Sequence, residues 1–271
     1  MDLDDARPRL LPEERRRRIA AAVTRDGVAR LDELAASIGV SVDTVRRDID
    51  GLHAEGLVER TRGGAVAREA RAGILPLDAR IASQSPGKRA IARAAADLIV
   101  DGSSLVVNGG STTLAFAGAL SGRRRLSVVT NSLRVPSALS PSVVAQVHVL
   151  GGRVDPEIDA TVGSEVFRGD AAIAADVAVV SVGGLSAARG LSMSGPDEAA
   201  LTAAMIGAAA RTIVLCDAAK FGREALVRVR GLEAVDVLVT DEAPPPRLRA
   251  ALDHAGIEVC VAMAAELGGS A

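Results

Sequence analysis

Seven mostly apolar runs recur after residue 100, at 105–107, 126–130, 143–150, 177–182, 212–216, 235–240 and 257–261. Helical patterns separate most of them, from Pro86 onward and at Thr112–Leu120, Leu133–Leu139, Ser164–Phe167, Pro196–Ala210 and Arg247–Ala255. A strand that is apolar at every position needs cover on both faces, and the helices supply it. The alternation therefore predicts an α/β fold with a mainly parallel sheet. Ser85-Pro86 opens the first helix as N-cap and first-turn proline, and Ile91, Ala95, Leu98 and Ile99 form its apolar face. Asp101-Gly102 ends it. The core must be aliphatic, because the 271 residues include no Trp, no Tyr and three Phe. The same scarcity argues against an aromatic stacking platform for single-stranded nucleic acid.

The first 67 residues follow a different pattern. Ile19 and Val23 mark one helix face, and Leu34, Ala35 and Ile38 mark a second. Gly39 makes a tight turn, and Ser41 is placed to cap a third helix whose Val42, Val45, Ile49 and Leu52 share one face. Leu57-Val58 then start a strand, and Arg62-Gly63-Gly64 turn it back. Three helices and a β-wing make a winged helix-turn-helix. Ser41, Val42 and Thr44 stand at the helix N-terminus that enters the major groove of double-stranded DNA. Arg46 and Arg47 occupy adjoining faces, one for bases and one for phosphate, and Arg62 and Gly63 form the wing tip. Residues 15–68 hold eleven Arg against eight acids, a formal +3. The run Arg15–Arg18 either lies along the phosphate backbone or forms a solvated face.

These patterns divide the chain into a DNA-binding domain at 1–67, a linker at 68–74 and an α/β domain at 75–271. Within the last, Leu75–Arg80 already docks onto its own domain. No apolar run reaches the ~20 residues that span a bilayer. The acidic start, Met1 to Asp5, lacks the apolar core of a signal peptide, so a cytoplasmic protein is expected. Cys216 and Cys260 lie in apolar runs and read as reduced core residues. No Cys/His spacing suggests a metal site, and no cofactor is expected.

Ligands of parallel sheets sit beyond the strand C-termini. Asn108-Gly109-Gly110-Ser111-Thr112-Thr113 follows a strand there and runs into a helix. Glycines admit close backbone approach, hydroxyls donate, and a helix N-terminus favours an anion such as phosphate. Neither the P-loop nor the dinucleotide signature is present. Similar polar turns follow other strands: Thr130-Asn131-Ser132, Gly151-Gly152-Arg153, Gly183-Gly184, and Asp217 to Phe221. Lys220 stands out because the chain has thirty Arg and only two Lys. An ammonium kept where Arg prevails suggests a compact charge with a task.

Taken together, Val40 to Asp48, the wing Arg62-Gly63-Gly64-Ala65, Thr130-Asn131-Ser132, Leu150-Gly151-Gly152 and Asp217-Ala218-Ala219-Lys220-Phe221-Gly222 resemble the DeoR family of bacterial sugar-catabolism regulators. The resemblance runs from about residue 14 to about residue 262. It implies a winged helix-turn-helix followed by a sensor related to ribose-5-phosphate isomerase. It further implies repression of a sugar or polyol operon, release from operator DNA by a phosphorylated sugar, and self-association as dimers or tetramers. Phosphate would rest on Gly110 to Thr113 with Lys220 nearby, and Asn131 and Asp217 would hold sugar hydroxyls. Asn108, Thr130, Gly152, Gly184 and Glu198 complete the expected effector site. Two positions depart from the family pattern: Asn108 stands where Asp is common, and Thr202 where Lys is common. The segment Ser192 to Asp197 is also atypical, which leaves the effector's polar contacts altered. The rival expectations are a sugar-phosphate isomerase, with Glu198 or Asp217 as base, and a transcriptional activator.

Overall fold

The computed structural model describes residues 11–26, 28–55, 57–61, 63–67, 77–82, 86–163 and 173–262. Two compact units form, residues 1–73 and 74–271. Ser85, Arg62 and the helix expected at Ser164–Phe167 lie outside the described residues.

The first unit holds α1 (Pro12–Asp26), β1 (Val28–Arg30), α2 (Leu31–Ile38), α3 (Val42–Ala54), β2 (Val58–Thr61) and β3 (Gly64–Ala67). Its strands pair antiparallel in the order β1-β3-β2. Ile19, Val23, Leu34, Ala35, Val45, Ile49, Leu52 and Val58 fill its core. Each Val, Leu or Ile side chain among them contributes roughly 1.5–3 kcal/mol on full burial. Gly39 ends α2 with φ 77°, and its amide donates to the Ala35 carbonyl at 2.9 Å. Glycine takes that left-handed conformation at little steric cost, which is why the tight turn falls there. One expectation is corrected: Val42 belongs to the solvent side of α3, at 37% exposure, and Asp48 takes the extra buried place beside Val45, Ile49 and Leu52.

The second unit begins with α4 (Leu77–Ala82) and α5 (Pro86–Asp97), then β4 (Ser104–Val107), α6 (Ser111–Ala119), β5 (Leu126–Thr130), α7 (Val135–Ala138) and β6 (Val144–Val149). A hairpin follows, β7 (Arg153–Asp155) and β8 (Ala160–Val162). Next come β9 (Ala175–Ser181), β10 (Gly184–Ser186), β11 (Gly190–Met193), α8 (Pro196–Gly207) and β12 (Ala209–Leu215). The unit closes with β13 (Val227–Arg230), β14 (Val237–Thr240), α9 (Pro246–His254) and β15 (Glu258–Val261). Seven strands form one parallel sheet in the order β15-β14-β12-β9-β4-β5-β6.

Alternate residues of these strands serve opposite layers. Val179, Ile213 and Val239 pack with Ile91, Phe116 and Leu105, while Val180, Val214 and Leu238 pack with Leu191, Ile206, Leu248 and Leu252. That is why the central strands are apolar on both faces. Leu77 is buried, and its amide donates to the Glu157 carbonyl at 2.9 Å, so the segment before α5 docks onto its own unit.

Three helix lengths differ from expectation, and the helix expected at Leu133–Leu139 shrinks to Val135–Ala138. The helix begun at Pro86 stops at Asp97, leaving Leu98 and Ile99 in a turn. The helix begun at Pro196 stops at Gly207, because Ala209 and Ala210 already lie in the strand β12, where Ala209 pairs with Ala175. A second, three-stranded antiparallel sheet, β10-β11-β13, contains only Ser192 and Met193 of the atypical segment before Glu198; Pro196 and Asp197 already belong to α8.

Candidate functional site

In the first unit, Ser41 Oγ accepts from the Thr44 amide at 3.2 Å and shares a hydrogen bond with Thr44 Oγ1 at 2.8 Å. The cap fixes where α3 begins and leaves Val42 exposed at its tip. Arg46 donates to Asp43 Oδ1 at 2.6 Å, whereas exposed Arg47 has no partner among the described residues. Gly63 is exposed at the wing turn, and its carbonyl accepts from the Leu31 amide at 3.0 Å.

The arginine run, expected either along the phosphate backbone or as a solvated face, is divided by its partners. Arg15 holds Asp48 through two hydrogen bonds, the second at 3.1 Å. Arg16 bonds Glu55 at 3.2 Å and lies 3.7 Å from Asp48, and Arg18 bonds Glu14 at 3.0 Å. Arg15 and Arg16 therefore tie α1 to α3, Arg15 largely covered and Arg16 still partly exposed.

In the second unit, sheet order reverses between β4 and β9: β5 and β6 extend to one side of β4, and β12, β14 and β15 to the other side of β9. Such a switch point opens a crevice at the strand C-termini. Asn108 spans it. Its Oδ1 accepts from the Ser181 amide at 2.9 Å, and its Nδ2 donates to the Ser181 carbonyl at 2.9 Å and to Thr202 Oγ1 at 3.4 Å. The two departures from the family pattern, Asn108 and Thr202, thus meet as one buried neutral pair.

Several expected site residues are committed to the scaffold. Asn131 Oδ1 accepts from the Gly109 amide at 2.8 Å, and its Nδ2 donates to the Thr161 carbonyl at 2.8 Å. Thr130 Oγ1 accepts from the Ser132 amide at 3.1 Å, and Thr113 Oγ1 donates to the Gly110 carbonyl at 3.1 Å. A different subset is uncommitted. Ser111 and Thr112 open α6 at 5% and 6% exposure, and their hydroxyls have no partner among the described residues. Gly110 precedes them as N-cap without a side-chain cap.

Asp217 and Lys220 follow β12, two strand positions from β4, a lateral distance of about 10 Å. The Asp217 and Lys220 side chains make no hydrogen bond or ion pair among the described residues. Cys216 is sealed behind them, and burial pushes its thiol well above the usual range. Gly184 in β10 lies where a Cβ would meet the Arg223 carbonyl at 2.4 Å. Gly152 leads into β7, whose Arg153 pairs with Asp197 at 2.8 Å. Glu198 sits half-buried in the first turn of α8. Burial raises its pKa to about 7, Arg80 opposes the shift and Asp155 adds to it. The structure thus places Asn108, Gly110, Thr113, Thr130 and Asn131 at the C-terminal ends of β4 and β5 beside the switch point, with Asn108, Thr113, Thr130 and Asn131 each bonded to its own scaffold partner. Glu198 and Lys220 stand apart from these, each on a neighbouring loop or helix. Sequence reasoning missed Ser181, which ends β9 and carries no motif of its own.

A winged helix-turn-helix joined to a parallel α/β domain with an open switch point defines a DNA-binding regulator that carries a sensor. Residues 15–71 match the model of the DeoR-like helix-turn-helix domain, and residues 83–242 match the DeoR C terminal sensor domain. The chain belongs to the DeoR family, and it is a transcriptional regulator rather than an enzyme. It is 34% identical to the HTH-type transcriptional repressor CsqR of Escherichia coli K12, over 86% of this chain and 89% of that one. It is 30% identical to the repressor GlcR of Bacillus subtilis, over 85% and 88%, and 28% identical to the glycerol-3-phosphate regulon repressor of E. coli K12, over 91% and 98%. Among solved structures, ribose 5-phosphate isomerase A from Neisseria gonorrhoeae matches 49% of this chain and 52% of its own, at TM-score 0.35 and 18% identity.

Proposed function

We propose that this protein is a cytoplasmic repressor of a carbohydrate or polyol operon, released from double-stranded operator DNA by a phosphorylated sugar or a related metabolite. The observation that carries the reading is the uncommitted start of α6: the unbonded hydroxyls of two largely buried residues, Ser111 and Thr112, and free first-turn amides at the switch point. Helix N-termini attract anions through unsatisfied amides and the helix dipole. The repressor names of the relatives, one of them a glycerol-3-phosphate regulon repressor, support the direction of control and the ligand class.

In this reading the phosphate rests on Gly110 to Thr113. The rest of the ligand reaches toward Asp217 and Lys220 across about 10 Å, a span that a phosphorylated polyol covers. Asn108, Thr130 and Asn131 shape the floor. Gly152, Gly184 and Glu198 lie on its rim. DNA is read by Ser41, Val42, Thr44, Arg46 and Arg47, with Arg62 and Gly63 at the wing. The DNA-binding domain spans 1–67 and the sensor 75–271, joined by 68–74, and two or four copies associate. Effector binding favours a state in which paired recognition helices no longer match the operator spacing.

The test is a gel shift on DNA upstream of the gene and its neighbouring operon, with and without a panel of sugar phosphates. A specific complex released by one compound is expected. A specific complex that no sugar phosphate disturbs would refute the effector class, and no specific complex on either fragment would count against local control.

A further inference from the structure

We infer that Ser181 is an effector-contacting residue, its hydroxyl donating to the same phosphoryl group that the start of α6 receives. The inference rests on the phosphate reading above and adds a contact from the other side of the switch point. Both backbone groups of Ser181 are fixed by Asn108, with its amide donating and its carbonyl accepting at 2.9 Å. The Cα–Cβ bond therefore has a set direction. That direction is toward α6, because a Cβ at Gly110 would stand 2.3 Å from Ser181 Oγ. Only glycine at 110 leaves room for the hydroxyl at the mouth of the helix.

Ser181 is half-buried, and its Oγ has no hydrogen-bond partner among the described residues. Neighbouring polar side chains are satisfied: Asn108 on Ser181 itself, Thr113 on the Gly110 carbonyl, Thr202 on Met193 Sδ at 3.4 Å. Ser192 Oγ donates to the Gly184 carbonyl at 3.3 Å and accepts from the Ala225 amide at 2.9 Å. The uncommitted hydroxyls beside Gly110 are therefore those of Ser111 and Thr112 on α6, both residues more than nine-tenths buried, and that of Ser181, which reaches Gly110 from β9. Three hydroxyls with no partner among the described residues, gathered around one helix start, fit an oxyanion with several acceptor oxygens. A phosphoryl group has that chemistry.

The experiment is calorimetric titration of the full chain with inorganic phosphate, for the unsubstituted protein, Ser111→Ala and Ser181→Ala. Both substitutions are expected to weaken phosphate about tenfold, the loss of one hydrogen bond to a charged group. Weakening by Ser111→Ala with affinity unchanged in Ser181→Ala overturns the role of Ser181 and leaves the phosphate reading standing. Phosphate that fails to bind, or binds equally to all three, overturns the reading and this inference together. If Ser181→Ala unfolds at lower temperature, Ser181→Cys replaces it, because the thiol fills similar space and donates weakly. Unchanged affinity in a folded Cys variant is then the overturning result.

Discussion

Two adjacent arginines on the recognition helix differ by a single contact. Arg46 is tied to Asp43, whereas Arg47 is exposed and has no partner among the described residues. A guanidinium already bonded must be released before it reads a base, so Arg47 is the better base contact. Arg47→Ala is expected to cost about 1–3 kcal/mol of specific operator affinity, the value of a bidentate base contact. Operator titrations at several salt concentrations check this, and an unchanged affinity rules the contact out. Behind the helix, Arg15 and Asp48 form a pair with side chains only 14% and 6% exposed. Removing one member leaves a buried charge, so Arg15→Ala is expected to destabilise the first unit by roughly 3 kcal/mol. Arg16, 3.7 Å from Asp48, keeps the loss near the low end of that class. Urea unfolding of the variant gives the number, and a change below about 1 kcal/mol would mean that the pair stabilises little.

At the scale of elements, helix starts and parallel strands were legible because each leaves a local mark. Ser41 caps where its side-chain oxygen can, and β9, β12 and β14 are apolar at nearly every position. The three-stranded sheet β10-β11-β13 was not legible. Its strands are three or four residues long and reach from Gly184 to Arg230, so no periodicity is sustained in any one of them. The site shows the same division. The Gly-Ser-Thr turn was found from composition, but its commitments were not, because a partner such as Thr161 for Asn131 lies 30 residues away. Ser181 is invisible for the same reason. Glu198 adds a prediction that belongs to α8. Its native pKa of about 7 exceeds its ordinary value, so folding favours the protonated form. The contribution is fully present below about pH 4.5 and is lost as pH rises toward 7, on the order of 3 kcal/mol at most. Asp155 on β7 deepens this loss and Arg80 on α4 limits it. Melting curves across that window should show a falling midpoint that Glu198→Gln, neutral throughout, does not share. Parallel pH profiles would show that Glu198 titrates normally in the folded chain.

For the whole molecule, the proposed switch is a coupling between two units, and coupling is reciprocal. An effector that lowers operator affinity by a given factor must have its own affinity lowered by operator DNA to the same extent. A hundredfold release corresponds to about 2.7 kcal/mol, within the range that differential binding supplies. Lys220 serves to separate binding from coupling. Removing an ammonium from beside a phosphorylated ligand should raise the effector concentration needed for release about tenfold or more. The coupling factor itself should stay the same, because Lys220 lies in the sensor and makes no hydrogen bond or ion pair among the described residues. The measurement is effector titration of the full chain, with and without saturating operator duplex, for the unsubstituted protein and for Lys220→Ala. Equal ratios with weaker absolute affinity place Lys220 on the ligand. A changed ratio places it in the switch, and unchanged affinity in both titrations removes it from the site.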